Sequence, residues 1–290
     1  MSVNLATAQV PKPGEGKIER LENFPSQFVN PRHIDVWLPN GYTNQKKYKV
    51  LYMHDGQMLY DSTITWNKQD WGVDETIQKL INKNEIEEII VVGIWNNGAW
   101  RAAEYFPEKA LPYLKDDSLK QMLIDVGLKG KPLADSYLQF LVQELKPFID
   151  QKYSTLSNPS STFIAGSSMG GLISMYAVCE YPEVFGAAAC ISTHWPGSIL
   201  LDDDRIPNAF MQYLTVKIPS PKNHRFYFDY GTENLDSKYK RHQQKVNELF
   251  VQKGYSVSNY LSLEFKGADH KEVDWKKRFA TPIRFLMQKE

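Results

Sequence analysis

The sequence contains little cysteine and no excess of charge of either sign. Its two cysteines, Cys179 and Cys190, lie within apolar segments, where a thiol usually serves as a small buried side chain. A disulfide framework is therefore not expected, although a single bond between them stays open. Since 34 basic residues balance 34 acidic ones, neither a nucleic acid nor an anionic membrane surface is expected as a partner.

Long hydrophobic segments are also missing. No stretch approaches the roughly 18 apolar residues of a membrane-spanning helix, and the first ten residues lack the basic and apolar regions of a secretory signal. We therefore expect a soluble chain with no membrane partner. Its compartment stays open between the cytoplasm and, for a chain whose signal has been removed, the periplasm or exterior. Its oligomeric state stays open as well.

Short apolar runs alternate with segments of helical period along most of the 290 residues. The runs at 49–54, 89–95 and 161–165 are apolar almost throughout, which is typical of strands buried on both faces of a sheet. Segments 71–82 and 135–153 repeat apolar residues at helical spacing. The alternation predicts an α/β fold with a mostly parallel central sheet and helices on both faces.

No break in composition indicates a second domain, so we predict a single domain over 17–290. Residues 1–16 end in Lys12-Pro-Gly-Glu-Gly16 and are predicted to be a flexible leader, because Pro and Gly interrupt regular elements. The connections at 96–131 and 192–223 are long for this architecture. We expect them to form lid-like insertions that build walls of a site.

Two adjacent serines stand between glycines in Gly166-Ser-Ser-Met-Gly170. The pattern G-x-S-x-G fits only the frame centred on Ser168, since Ala165 stands where the other frame needs glycine. The pattern follows a predicted strand and precedes a predicted helix, the context in which such a serine is a nucleophile on a sharp turn. Ser168 is therefore the candidate nucleophile, and Ser167 better suits a structural serine at the helix start.

A serine nucleophile needs a histidine base, which must follow it in the chain order of this kind of fold. Of the six histidines, His270 lies in a loop after the last predicted strand and before the last helix. His33 and His54 precede the serine, and His194 follows it too closely to leave room for an acid. We therefore predict His270 as the base, since His224 begins a strand at its wrong end and His242 is expected within a helix, on its solvent side.

The acid that orients this histidine is expected in the turn after the strand at 225–230. Glu233 and Asp236 both qualify there. Glu233 is preferred because it lies closer to the end of the strand, and Asp236 is the alternative. Asp229 falls inside the strand and is the weaker choice.

The oxyanion hole of such a site needs two N–H donors. We expect them from the backbone of Met169, directly after the nucleophile, and of Gln57, in the loop after the strand at 49–54. Aromatic and polar residues near these loops are candidates for the substrate pocket: His54, Trp100, Arg101 and Trp195. Aromatic walls of this kind suit sugar rings or phenolic acyl groups, whereas Arg101 is also expected to pair with Glu104.

Several motifs together resemble one family. They are Val50-Leu-Tyr-Met-His-Asp-Gly-Gln-Met-Leu-Tyr-Asp61, Trp71-Gly-Val-Asp-Glu75, Val91-Val-Gly-Ile94 followed by Arg101-Ala-Ala-Glu-Tyr105, the serine motif, Gly231-Thr-Glu233 and Ala268-Asp-His270. In this order they resemble the Putative esterase family of α/β-hydrolases, which includes esterase D, enterochelin esterases, and feruloyl and acetylxylan esterases. Met58 departs from the family, whose members often carry Asn there.

The resemblance implies the α/β-hydrolase fold and hydrolysis of carboxylic esters by Ser168 and His270, with no metal and no cofactor. The expected substrate is a small-molecule or carbohydrate-linked ester of acetyl or feruloyl type. Alternatives are an acyltransferase on the same scaffold, a siderophore esterase of the enterochelin type and a non-catalytic binding relative. The presence of both Ser168 and His270 argues against the last of these.

Overall fold

The computed structural model describes residues 9–198 and 203–287 and contains an eight-stranded sheet with the strand order β1-β2-β4-β3-β5-β6-β7-β8. Strands β1 and β2 pair antiparallel, as do β2 and β4, and all other neighbours are parallel. The strands are β1 (Lys17–Phe24), β2 (Arg32–Leu38), β3 (Lys49–His54), β4 (Ile89–Ile94), β5 (Thr162–Ser167), β6 (Ala187–Ile191), β7 (Arg225–Gly231) and β8 (Tyr260–Phe265).

Helices connect the parallel strands. They are α1 (Val73–Asn82), α2 (Arg101–Tyr105), α3 (Asp117–Met122), α4 (Ala134–Gln139), α5 (Lys146–Lys152), α6 (Met169–Glu180), α7 (Arg205–Lys217), α8 (Lys240–Gln252), α9 (Glu272–Arg278) and α10 (Ala280–Leu286). A π-helical turn follows α3 (Leu123–Gly127), and another (Phe140–Leu145) joins α4 to α5. Short 3₁₀ turns lie at Gly56–Met58, Gly98–Trp100, Glu108–Tyr113, Pro159–Ser161 and Asp236–Lys238.

Helices cover the sheet on both faces, so each face has its own apolar core. Side chains alternate between the two cores along a strand: Val50 and Tyr52 of β3 pack into one core, and Leu51 and Met53 into the other. The first core includes residues of α4 to α8, and the second includes residues of α1, α9 and α10. The predicted α/β fold with a mostly parallel, doubly covered sheet is confirmed.

The two long connections contain helices and pack against each other. The connection at 96–131 contains α2, α3, two 3₁₀ turns and a π-helical turn, and that at 192–223 contributes α7. The ring centroids of Phe106 and Phe210 lie 5.2 Å apart, which joins the two insertions through an aromatic contact. Both begin at carboxyl ends of parallel strands, the sheet edge where α/β folds bind ligands. Their role as lids stays a prediction.

The described part of the predicted leader is held to the domain. Pro11 is buried, the Lys12 N–H donates to Asp61 at 3.0 Å, and the Gly14 N–H donates to Asp74 at 2.7 Å. The expectation of a flexible leader is therefore wrong from Pro11 onward, because buried carboxylates accept from its backbone; residues 1–8 lie outside the described residues. No helix of the described part of the chain is long and apolar enough to cross a membrane.

Candidate active site

Ser168 lies on the turn between β5 and α6 in a backbone conformation that L-residues rarely adopt. Its φ is 58° and its ψ is −123°, and its N–H donates to the Ile191 carbonyl at 2.9 Å, which ties the turn to β6. A Cβ on Gly166 would lie 2.8 Å from the Gly170 carbonyl group. The turn is therefore closed so tightly that only glycine fits at its start, and it exposes part of Ser168 while Ser167 stays buried.

His270 lies in the loop between β8 and α9, where its ring meets a carboxylate. Its Nδ1 is 2.5 Å from Oδ1 of Asp236, which follows β7 and is fully buried. Glu233 is exposed and accepts a hydrogen bond from the Thr232 hydroxyl. The preference for Glu233 is thus corrected to Asp236: the chain turns after β7, which directs Glu233 to solvent and Asp236 inward.

Other buried donors hold Asp236 in place. Its Oδ2 accepts from the Ser192 hydroxyl at 2.5 Å and from the Gly231 N–H at 2.7 Å. The Ser192 hydroxyl in turn accepts from Trp275 Nε1 at 3.0 Å and from Arg278 Nη2 at 2.7 Å. The carboxylate therefore has a fixed orientation, and its remaining oxygen is available to His270. The sequence does not indicate that Ser192 supports Asp236, since Ser192 belongs to no motif.

Asp229, the weaker candidate for the acid, belongs to the same buried network. It accepts from Arg278 Nη2 at 3.0 Å and from the Tyr227 hydroxyl at 2.8 Å. Burial raises the pKa of Asp229, and the neighbouring Arg278 opposes this shift. Its carboxylate therefore balances the charge of Arg278 beneath the site and does not face His270.

Tyr239 is a neighbour of both the candidate nucleophile and the candidate base. Its ring meets that of His270 edge-on at a centroid distance of 5.8 Å, and burial raises the pKa of its hydroxyl, an effect that a contact with Ser168 reduces. Among the described residues no hydrogen bond joins Ser168 Oγ to His270. Such bonds are often long in unliganded sites and shorten when substrate binds. The shared neighbour Tyr239 is consistent with Ser168 and His270 lying at one site.

Among the other histidines, His54, His194 and His242 are buried. His194 Nδ1 is 2.8 Å from the Tyr239 hydroxyl, and His54 Nδ1 is 2.8 Å from the Tyr137 hydroxyl. Burial lowers the pKa of His54 to about 3 and that of His194 to about 4, so both are neutral near pH 7. His242, expected on the solvent side of its helix, is buried as well.

Three of the residues expected in the substrate pocket have other roles. Trp195 is fully buried and donates to Gln243 at 2.9 Å, so it packs in the core and is not an exposed wall. His54 is 2% exposed. Arg101 pairs with Asp55, and the expected pairing with Glu104 is wrong because Glu104 is bound by Arg32 at 2.6 Å. Trp100 is half-buried and remains a candidate.

The loop after β3 meets the start of α6, where the oxyanion donors were expected. A Cβ on Gly170 would lie 3.4 Å from both the His54 Cβ and Asp55 Oδ2, so the loop packs on the first turn of the helix. Met169 is the first residue of α6 and Gln57 belongs to a 3₁₀ turn at Gly56–Met58. N–H groups at such starts have no acceptor within their own helix, so both are suited to receive a negative oxygen.

Within the described residues, no group of three or more His, Cys, Asp or Glu side chains is arranged to hold a metal ion. Cys179 and Cys190 are both buried and unbonded to each other.

The family model described as "Putative esterase" matches residues 26–286. The uncharacterized protein YbbA of Bacillus subtilis is 26% identical over 267 residues, which cover 89% of this chain and 93% of YbbA. A ferulic acid esterase structure superimposes with a TM-score of 0.66 at 19% identity, covering 94% of this chain and 99% of its own.

The enterobactin esterase FES of Shigella flexneri, solved with 2,3-dihydroxy-N-benzoyl-glycine, gives a TM-score of 0.69 at 17% identity, with 96% of this chain and 61% of its own covered. These structures share the fold of this chain. The family match covers most of the sequence and agrees with the turn at Ser168. The chain belongs to the Putative esterase family of α/β-hydrolases and is a carboxylic ester hydrolase.

Proposed function

We propose that the protein hydrolyses carboxylic esters through an acyl-enzyme on Ser168, with His270 as general base and Asp236 as the acid that orients it. The observation that carries the proposal is the 2.5 Å contact between His270 Nδ1 and Asp236 Oδ1, beside a serine on a strained turn. Asp236 accepts a hydrogen bond from the Nδ1–H group, which leaves Nε2 of the neutral ring free to take a proton.

In acylation, Ser168 Oγ attacks the ester carbonyl carbon and its proton passes to His270 Nε2. The carbonyl oxygen becomes negative and accepts hydrogen bonds from the N–H groups of Met169 and Gln57. The tetrahedral intermediate then breaks the bond to the alcohol oxygen, which leaves with the proton from His270. In the second half, water attacks the acyl-serine carbonyl and loses a proton to His270. His270 then gives that proton to Ser168 Oγ as its bond to the acyl group breaks, which releases the carboxylic acid and restores the serine hydroxyl.

For the substrate we propose an ester that links an acetyl or aromatic acyl group to a carbohydrate. The ferulic acid esterase among its structural relatives supports this class, and the enterobactin esterase supports a siderophore ester as the second candidate. A panel of acetylated sugars, feruloylated sugars and a siderophore lactone, ranked by kcat/KM, tests the choice. A siderophore lactone at the top of the ranking would contradict a carbohydrate-linked substrate.

The two adjacent serines test the nucleophile. Ser168→Ala is expected to lower kcat for a short activated ester by about 10⁴-fold or more, while circular dichroism remains that of the folded protein. Ser167→Ala is the matched control, because Ser167 is buried at the end of β5, and it should keep most of the activity. Near-normal turnover by Ser168→Ala would refute the mechanism.

A further inference from the structure

The loop after β3 holds a carboxylate in an unusual backbone conformation. Asp55 has a φ of 57° and a ψ of 44°, in the left-handed region that few residues other than glycine enter. Its carboxylate accepts from Arg101 Nε at 2.7 Å, from Arg101 Nη2 at 2.8 Å and from Asn96 Nδ2 at 2.7 Å. The guanidinium thus binds both carboxylate oxygens, a geometry that fixes orientation as well as charge.

The connection at 96–131, which supplies Asn96 and Arg101, also binds the neighbouring Gln57. The Asn96 N–H donates to Gln57 Oε1 at 3.2 Å, so the residues on both sides of Gly56 are bound from the segment after β4. A Cβ on Gly56 would lie 2.6 Å from the backbone of Gly93, so this point of the loop already touches β4. Asp55 and Gln57 are therefore fixed relative to the sheet through Asn96 and Arg101.

The charge of Asp55 lies close to the proposed oxyanion hole. Its Oδ2 would contact a Cβ on Gly170, in the first turn of α6, at 3.4 Å, and its side chain is only 13% exposed. A bare carboxylate there would repel the negative oxygen that forms during acylation. Burial favours the neutral acid, yet Arg101 outweighs it and holds the pKa of Asp55 below its ordinary value, so the pair stays ionised at neutral pH.

From this arrangement we propose that Arg101 is a positioning residue of the hydrolytic reaction. Its guanidinium holds Asp55 and so fixes the loop that directs the Gln57 N–H at the developing oxyanion. The same guanidinium cancels the charge of the Asp55 carboxylate. The inference rests on the proposed serine mechanism and replaces a role for Arg101 in binding substrate. It predicts an effect on the transition state and little effect on binding of the ester.

Arg101→Met tests the proposal with an uncharged short ester. We expect kcat to fall by about a hundredfold, as when an oxyanion donor is lost, while KM changes by less than about threefold. Asp55→Asn combined with Arg101→Met should recover about tenfold over Arg101→Met alone, because no unpaired carboxylate remains. Arg101→Lys keeps the charge without the fork and should lose less, which provides the test if Arg101→Met folds poorly.

Arg20 provides a matched control, since it binds Asp35 through the same two-bond fork at 2.8 Å in a buried site on β1 and β2. Arg20→Met should lower the melting temperature but leave kcat within about twofold. A raised KM at unchanged kcat for Arg101→Met, or no recovery in the double variant, would overturn the proposal. The serine mechanism has its own test, since an active Ser168→Ala would overturn it. If Ser168→Ala is inactive and Arg101→Met keeps the full rate, only the positioning role is overturned.

Discussion

Asp236 and Glu233 stand three residues apart, and only Asp236 contacts the histidine. Asp236→Asn keeps the size of the side chain but loses the charge that holds His270 in the required tautomer, so we expect kcat to fall by about 10⁴-fold. Glu233→Gln, on an exposed carboxylate, should stay within about twofold of the unchanged protein. Steady-state kinetics on a short ester measure both. Comparable losses in the two variants would contradict the assignment of the acid.

The order of residues along the chain restricted the acid to this turn but could not choose within it. Which carboxylate turns inward depends on the path of the chain after β7 and on donors from distant segments. Ser192 and the Gly231 N–H bind Asp236, and Arg278 supports Ser192 from α9. Such contacts between remote segments leave no local pattern in a sequence, and for the same reason the pairing of Arg101 with Asp55 was not foreseen.

At the scale of elements, the turn from β5 to α6 depends on a glycine at its start. A Cβ at position 166 would lie 2.8 Å from backbone atoms of Gly170, so Gly166→Ala must displace the helix or the strand. We expect a loss of about 2 kcal/mol in the free energy of unfolding, typical of overpacking, and a decrease in kcat of about a hundredfold from displacement of Ser168. Urea denaturation and steady-state kinetics measure the two effects.

Gly14 is a control for that substitution. The three atoms nearest to a Cβ there all belong to side chains, Glu75 Oε1 at 3.2 Å, Glu75 Cγ at 3.3 Å and Asp74 Oδ2 at 3.7 Å. Because Glu75 is exposed and can shift, Gly14→Ala should change the unfolding free energy by less than about 0.5 kcal/mol. If Gly166→Ala were equally harmless, the turn would not depend on close backbone packing.

Elements with a strong apolar pattern could be predicted closely, whereas contacts made by loops could not. The run at 161–165 and the glycines after it indicated β5 and α6 because a buried strand and a tight turn both restrict residue type. Pro and Gly in the segment that ends at Gly16 predict a flexible leader. From Pro11 onward it is held to the domain, because Asp61 and Asp74, far along the chain, accept from its backbone. Trp195 belongs to the core for a similar reason: Gln243 of α8 binds its indole.

For the whole molecule, buried histidines make stability depend on pH. Burial lowers the pKa of His54 to about 3, below the 6.5 of an unfolded chain, so the unfolded state binds more protons between these values. Its contribution is complete above pH 6.5 and declines as the pH falls. His54 alone should therefore lower the free energy of unfolding by about 2 kcal/mol between pH 7 and pH 5.

Urea denaturation at the two pH values, compared with His54→Asn, measures this term. Between pH 7 and pH 5, the free energy of unfolding of the variant should fall by about 2 kcal/mol less than that of the unchanged protein. Only this change with pH is compared, so a lower stability of the variant at pH 7 does not affect the result. Equal pH dependence in both proteins would mean that His54 is not held neutral by burial.

Covalent trapping shows whether Ser168 is the residue that carries the acyl group. The protein is incubated with an activated phosphonate ester, and the modified peptide is identified by mass spectrometry. We expect one phosphonyl group on Ser168, a label that persists in Ser167→Ala and is absent in Ser168→Ala. A label on another residue, or normal ester turnover by a variant that is no longer labelled, would contradict Ser168 as the nucleophile.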